Sequence, residues 1–113
     1  MEKLKVLIVD DDKDALTIYS LFAKQRGFDV ITASDSDSAK QKLREKPDFF
    51  VTDIHLVTGV YSSKEGYGLA RAAVANGVKH VVIYTSSGTP SQSIDGVEII
   101  DKPDLPDWLD RHL

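Results

Sequence analysis

Val6-Leu7-Ile8-Val9-Asp10-Asp11-Asp12 decides the reading of this chain: a short β-branched apolar run, of the kind that fits a strand buried on both faces, ends in three consecutive carboxylates. Carboxylates stacked at the end of a buried strand repel one another, so a positive charge is expected beside them. Working outward, Lys5 to Val9 is the first strand. Ala15, Leu16, Tyr19, Phe22 and Ala23 then recur at helical spacing from Lys13 to about Arg26, with acids in the first turn and Gly27 just past the end. Phe28 to Ala33 reads as a second strand. Ser34 to Asp37 offer N-caps for a helix carrying Ala39 and Leu43, which Pro47 ends.

The alternation continues with a third strand from Phe49 to Ile54 and a connection, residues 55 to 64, that is long for its kind and therefore a candidate for function. Leu69, Ala70, Ala73 and Val74 mark a helix closed by Asn76-Gly77, and His80 to Thr85 form a fourth strand. A fourth helix is only weakly encoded in the Ser- and Gly-rich stretch from Ser86 to Gly96. Val97 to Ile100 is a fifth strand, and Leu105, Trp108 and Leu109 outline a short last helix with Pro106 in its first turn. Strands alternating with helices argue for an α/β domain with a parallel sheet covered on both faces.

The chain has 113 residues, enough for one domain with a core, and neither an internal repeat nor a linker divides it. The absence of cysteine excludes disulfides, thiolate ligands and thiol nucleophiles, and suits a reducing compartment, so a cytoplasmic location is expected. No segment approaches the roughly 20 apolar residues that a membrane span needs. With 14 basic against 18 acidic residues, a formal net charge of −4 and no basic stripe, direct binding of nucleic acid is not expected.

In doubly wound sheets the functional crevice lies at the carboxyl ends of the strands. Those ends carry Asp10, Asp11 and Asp12 after the first strand, Asp53 near the end of the third, Thr85 after the fourth and Lys102 after the fifth. Carboxylates so gathered favour a hard cation with oxygen ligands, and Mg2+ is the expected cofactor. A carboxylate beside a divalent ion and an ammonium can attack phosphorus, because both cations neutralise charge on the transferring phosphoryl group. Asp12 is assigned to capping the first helix, a common use of Asp there, leaving Asp10 and Asp11 for metal.

Four motifs in order at these strand ends are the carriers of a family resemblance: Val-Leu-Ile-Val-Asp-Asp-Asp at 6–12, Pro-Asp-Phe-Phe-Val-Thr-Asp-Ile at 47–54, Val-Val-Ile-Tyr-Thr-Ser at 81–86 and Asp-Lys-Pro at 101–103. Over essentially its whole length the chain resembles the receiver domain of two-component response regulators. The resemblance implies a flavodoxin-like fold, a five-stranded parallel sheet of order 2-1-3-4-5. It makes Asp53 the phosphoacceptor, Asp10 and Asp11 the metal-holding pair, with Asp11 direct and Asp10 largely through water, and the backbone carbonyl of His55 a further ligand. Thr85 becomes the switch hydroxyl and Lys102 the phosphate-sensing lysine, commonly followed by a cis peptide to the proline, here Pro103.

The expected function is therefore a phosphoacceptor switch that receives its phosphoryl group from a histidine kinase or phosphotransfer protein and signals to a downstream protein partner. No output domain and no turnover of an external substrate are expected within residues 1 to 113. The alternative is a degenerate receiver acting as a phosphorylation-independent adaptor. Three departures from the family pattern motivate it: the long loop 55–64 without Met-Pro, a shortened region between Thr85 and Lys102, and Ile99 where an aromatic usually stands three residues before the lysine. Tyr84 and Tyr61 are the aromatic residues at hand to replace it.

Overall fold

The computed structural model of the chain describes residues 3–54, 65–85 and 94–112. Five strands, β1 (Lys5–Val9), β2 (Asp29–Ala33), β3 (Phe49–Thr52), β4 (His80–Thr85) and β5 (Val97–Asp101), form one parallel sheet in the order 2-1-3-4-5. Among the described residues four α-helices accompany them: α1 (Lys13–Gln25), α2 (Ser36–Lys42), α3 (Glu65–Ala75) and α4 (Leu105–Arg111). This is the doubly wound, flavodoxin-like architecture expected from the sequence. The weakly encoded fourth helix and the long loop fall largely on residues 86–93 and 55–64, outside the described residues.

Because side chains alternate across a strand, each central strand feeds both layers. Leu7, Val9, Phe50, Val81 and Ile83 pack with Ala39, Leu43, Tyr67, Leu69, Ala70 and Ala73 of the α2 and α3 side. Their neighbours Val6, Ile8, Phe49, Val51, Val82 and Tyr84 face Ala23 of α1 and Leu105, Trp108 and Leu109 of α4. The last three are fully buried, as the apolar stripe predicted. Burying each such side chain contributes about 1.5–3 kcal/mol, which holds a helix of only seven residues in place. A forked ion pair from Arg26 to Asp110, 2.6 and 3.1 Å, ties α4 to the end of α1.

Local signals set most boundaries. The Asp12 carboxylate accepts from the Asp14 and Ala15 amides and so caps α1. Asp35 does the same for α2 through Ser38 N at 2.7 Å. At the other end of α1, Gly27 takes φ of +87°, letting Gly27 N reach Lys24 O and Phe28 N reach Ala23 O. Besides one-residue differences at the start of β2 and the end of β5, two boundaries depart from expectation. Leu43–Glu45 winds on from α2 as a 3-10 turn, and β3 stops at Thr52, so Asp53 and Ile54 lie beyond the strand.

At the amino end of the sheet, His80 stacks on Phe49, centroids 4.6 Å apart, and its ring lies 4.4 Å from that of His112. Partial burial, then the neighbouring His112, push the His80 pKa below its ordinary 6.5, with Lys79 adding to this and Glu98 and Asp48 opposing it. The unfolded chain therefore binds a proton that the folded one resists as pH falls below that value, and stability drops as pH descends toward the folded pKa. The urea midpoint is expected to fall between about pH 7.5 and about pH 5.5, and His80→Gln to flatten that slope in equilibrium unfolding.

Candidate functional site

The register of the sheet assembles the site. Val9 pairs with Thr52 and Thr52 with Ile83, so the next residues along, Asp10, Asp53 and Tyr84, stand level at the carboxyl edge of three adjacent strands. Asp10 is 0 % exposed. Its Oδ1 accepts from Asp12 N at 3.0 Å, while its Oδ2 accepts from Tyr84 Oη at 2.6 Å and from Lys102 Nζ at 2.8 Å. The same ammonium donates to Asp53 Oδ2 at 3.0 Å, and Asp53 Oδ1 accepts from Ile54 N at 2.7 Å. Lys102 thus bridges two carboxylates, the missing positive charge that the acidic run called for.

Carboxylate oxygens of Asp10, Asp11 and Asp53 lie within 4.8 Å of one another, and the Lys102 ammonium pairs with two of these residues, Asp10 and Asp53. Burial, with the Asp10 charge adding to it, lifts the Asp53 pKa above the ordinary carboxylate value although Lys102 pulls the other way. For Lys102, burial works to lower the pKa, but the hydrogen bond to Asp10 and the charges of Asp53 and Asp10 outweigh it and raise the ammonium. Burial is thus the main cause at Asp53, and pairing with two carboxylates is what raises Lys102. An all-oxygen set of three carboxylates fits a hard divalent cation such as Mg2+.

The sequence-predicted residues are largely brought together. Asp10, Asp11 and Asp53 form one cluster, Lys102 joins it through hydrogen bonds, and Thr85 is buried at the end of β4, paired in register with Asp101. His55 lies outside the described residues, as does Tyr61. One expectation is corrected: no peptide among the described residues is cis, and the Lys102–Pro103 bond is trans. Lys102–Asp104 form a 3-10 turn leading into α4, with Pro103 in its first turn, where a trans peptide and the fixed φ of proline suit a helical start.

Two participants escaped the sequence reading. Tyr84 was noted only as a spare aromatic, yet its phenol reaches Asp10 across the row and its ring lies 5.0 Å beneath Lys102 Nζ. The level register of strand ends was the signal that could have found it. Gly66 is the second: its amide donates to Ile54 O at 2.8 Å, and a Cβ there would stand 1.8 Å from the Asp53 carbonyl oxygen. Glycine lets the first turn of α3 approach the backbone that carries Asp53, a need that local sequence does not announce.

Comparison with known proteins agrees with this geometry. No family model matches the chain. It is 43% identical over 53 residues, 46% of its length, to the alkaline phosphatase synthesis transcriptional regulatory protein PhoP of Bacillus subtilis, of which the match covers 22%. It is 28% identical over 117 residues, 98% of its length, to the probable transcriptional regulator ycf27 of Guillardia theta, of which 44% is covered. The chain thus spans less than half the length of these curated relatives. Among solved structures it is similar to the BeF3-activated N-terminal receiver domain of Klebsiella pneumoniae RstA, with a TM-score of 0.75 and 23% identity over 96% of this chain and 94% of that one. The sequence relatives are transcriptional regulators by name, and the chain shares the fold of the receiver-domain structure.

Gly66→Ala is expected to lower stability by about 1–3 kcal/mol through this backbone clash, read as a fall in urea midpoint. Gly68→Ala, whose added Cβ meets nothing within 4 Å, is the control and should leave the midpoint unchanged or slightly raised.

Proposed function

We propose that the chain is a single receiver domain acting as a phosphoacceptor switch, with Asp53 taking a phosphoryl group from a histidine kinase or phosphotransfer protein. The observation that carries this reading is the ammonium of Lys102 shared between Asp10 at 2.8 Å and Asp53 at 3.0 Å, inside a carboxylate cluster. One lysine held by two carboxylates, with a third carboxylate in the same cluster at the strand-end rim, suits the binding of a cation and of the phosphoryl group it would stabilise.

In the proposed reaction a carboxylate oxygen of Asp53 attacks phosphorus in line, forming the acyl phosphate as the bond from phosphorus to the donor's imidazole nitrogen breaks and the electron pair leaves with that nitrogen. Asp11 and Asp53 would hold Mg2+, with the His55 carbonyl as a further ligand and Asp10 acting largely through water, and the ion would neutralise charge on the phosphoryl oxygens. Asp10 suits the outer role because both of its oxygens already accept hydrogen bonds. Lys102 neutralises a further phosphoryl oxygen, and the Thr85 hydroxyl donates to another. Adding a group of nearly two negative charges draws these side chains toward Asp53 and biases the surface that a downstream protein partner reads.

The adaptor alternative drew on residues 55–64 and the stretch after Thr85, which lie largely outside the described residues, and on Ile99, which packs against the α2 and α3 side of the core. The assembled cluster favours the switch. That RstA's receiver domain is described as BeF3-activated supports the same treatment here. Incubation with acetyl phosphate and Mg2+ is expected to add one phosphoryl mass to the intact protein, abolished in Asp53→Asn and by chelation of the metal. An unchanged wild-type mass, or equal labelling of Asp53→Asn, would sink the assignment.

A further inference from the structure

We infer that Tyr84 is a positioning residue of this site: its hydroxyl holds the buried Asp10 carboxylate so that Lys102 is free to leave it for the phosphoryl group. The inference rests on Asp53 being the phosphoacceptor.

Asp10 is buried from bulk solvent, and a carboxylate so placed costs several kcal/mol unless its oxygens are satisfied, on the order seen for buried ions in general. Oδ2 draws on two donors of different kinds, the neutral phenol of Tyr84 at 2.6 Å and the charged Lys102 at 2.8 Å. Lys102 is also bound to Asp53, so it is the donor that a new charge on Asp53 would draw away. Its departure strips Asp10 of a cation. Asp12 N stays on Oδ1 and the phenol stays on Oδ2, and a hydrogen bond to a charged acceptor is among the stronger ones.

Tyr84 is built to stay. Its side chain is fully buried in the core shared with α1 and α4, and Tyr19 packs edge-on against its ring with centroids 5.3 Å apart. Burial, then the charge of Asp10 and the hydrogen bond to it, raise the phenol's pKa, so the group remains a donor throughout the neutral range. The same ring offers Lys102 a cation–π contact at 5.0 Å from its centroid. Tyr84 therefore touches both members of the pair that has to separate, and it does so from a position that strand register fixes beside Asp53. An apolar residue would fill this core position equally well but would leave Oδ2 dependent on the lysine.

The test compares full-length wild type, Tyr84→Phe, Lys102→Met and the double variant, with beryllofluoride in the presence of Mg2+ as phosphoryl mimic and calorimetry as readout. Tyr84→Phe keeps the ring and its packing. It is expected to weaken beryllofluoride binding about tenfold, the size of one lost hydrogen bond to a buried charge. In the Lys102→Met background, where no ammonium has to leave Asp10, the same substitution should change affinity less than about twofold. Equal weakening in both backgrounds would show that the hydroxyl acts independently of the lysine and overturn the inference. So would an unchanged affinity in Tyr84→Phe by itself, an outcome that needs no folded double variant. Wild type that neither gains mass from acetyl phosphate nor binds beryllofluoride would overturn the phosphoacceptor reading and this inference together, whereas normal wild-type behaviour with an indifferent Tyr84→Phe overturns this inference only.

Discussion

A single ammonium shared by two carboxylates at the rim of the sheet organises the whole molecule. Lys102 sits at the end of β5, Asp10 at the end of β1 and Asp53 just past β3, so the bridge closes across three of the five strands. It requires β5 to run parallel beside β4 and in register with it, because a shift of one residue would carry Lys102 away from Asp53. It also requires the short 3-10 turn from Lys102 to Asp104, which turns the chain from β5 into α4. The apolar burial that seats α4 therefore also seats the lysine.

The site costs stability where the core supplies it. Asp10 stands at the end of a strand whose side chains from Val6 to Val9 are all without solvent exposure, so its charge is carried at the boundary of the most tightly packed part of the fold. Hydrogen bonds from Asp12 N, Tyr84 and Lys102 offset that desolvation. At the opposite end of the sheet the same two-layer packing is completed differently. There His80, His112, Phe49 and Trp108 make an aromatic cluster, and the Trp108 indole donates to Glu98 at 3.0 Å. One pole of the domain is held by charge and hydrogen bonds, the other by aromatic packing.

Much of this was legible from residues alone, for local reasons. Apolar runs flanked by turn residues marked all five strands to within a residue or two, and Asp12 and Asp35 announced helix starts because a short carboxylate satisfies free amides of the first turn. The acidic run asked for a cation, and Lys102 was the natural supplier. Less legible were features that depend on what another strand brings alongside. Gly66 is written as an ordinary glycine near a helix start, and only the approach of α3 to the Asp53 backbone makes it necessary. Tyr84 reads as one more β-former, since nothing in its neighbours in sequence says that its hydroxyl will meet a carboxylate 74 positions away.

By itself the sequence determined the alternation of strands and helices, the two-faced burial of the central strands, and the chemistry available at their carboxyl ends. Those properties are encoded in short stretches through side-chain periodicity and capping. Tertiary structure alone decided how that chemistry is shared. Register sets Asp10, Asp53 and Tyr84 level, and burial turns Asp10 from a solvated acid into an anion that needs three donors. The physical reason is that hydrogen bonds and charge interactions act over a few ångströms of space, and which groups come within that distance is settled by how distant strands pair.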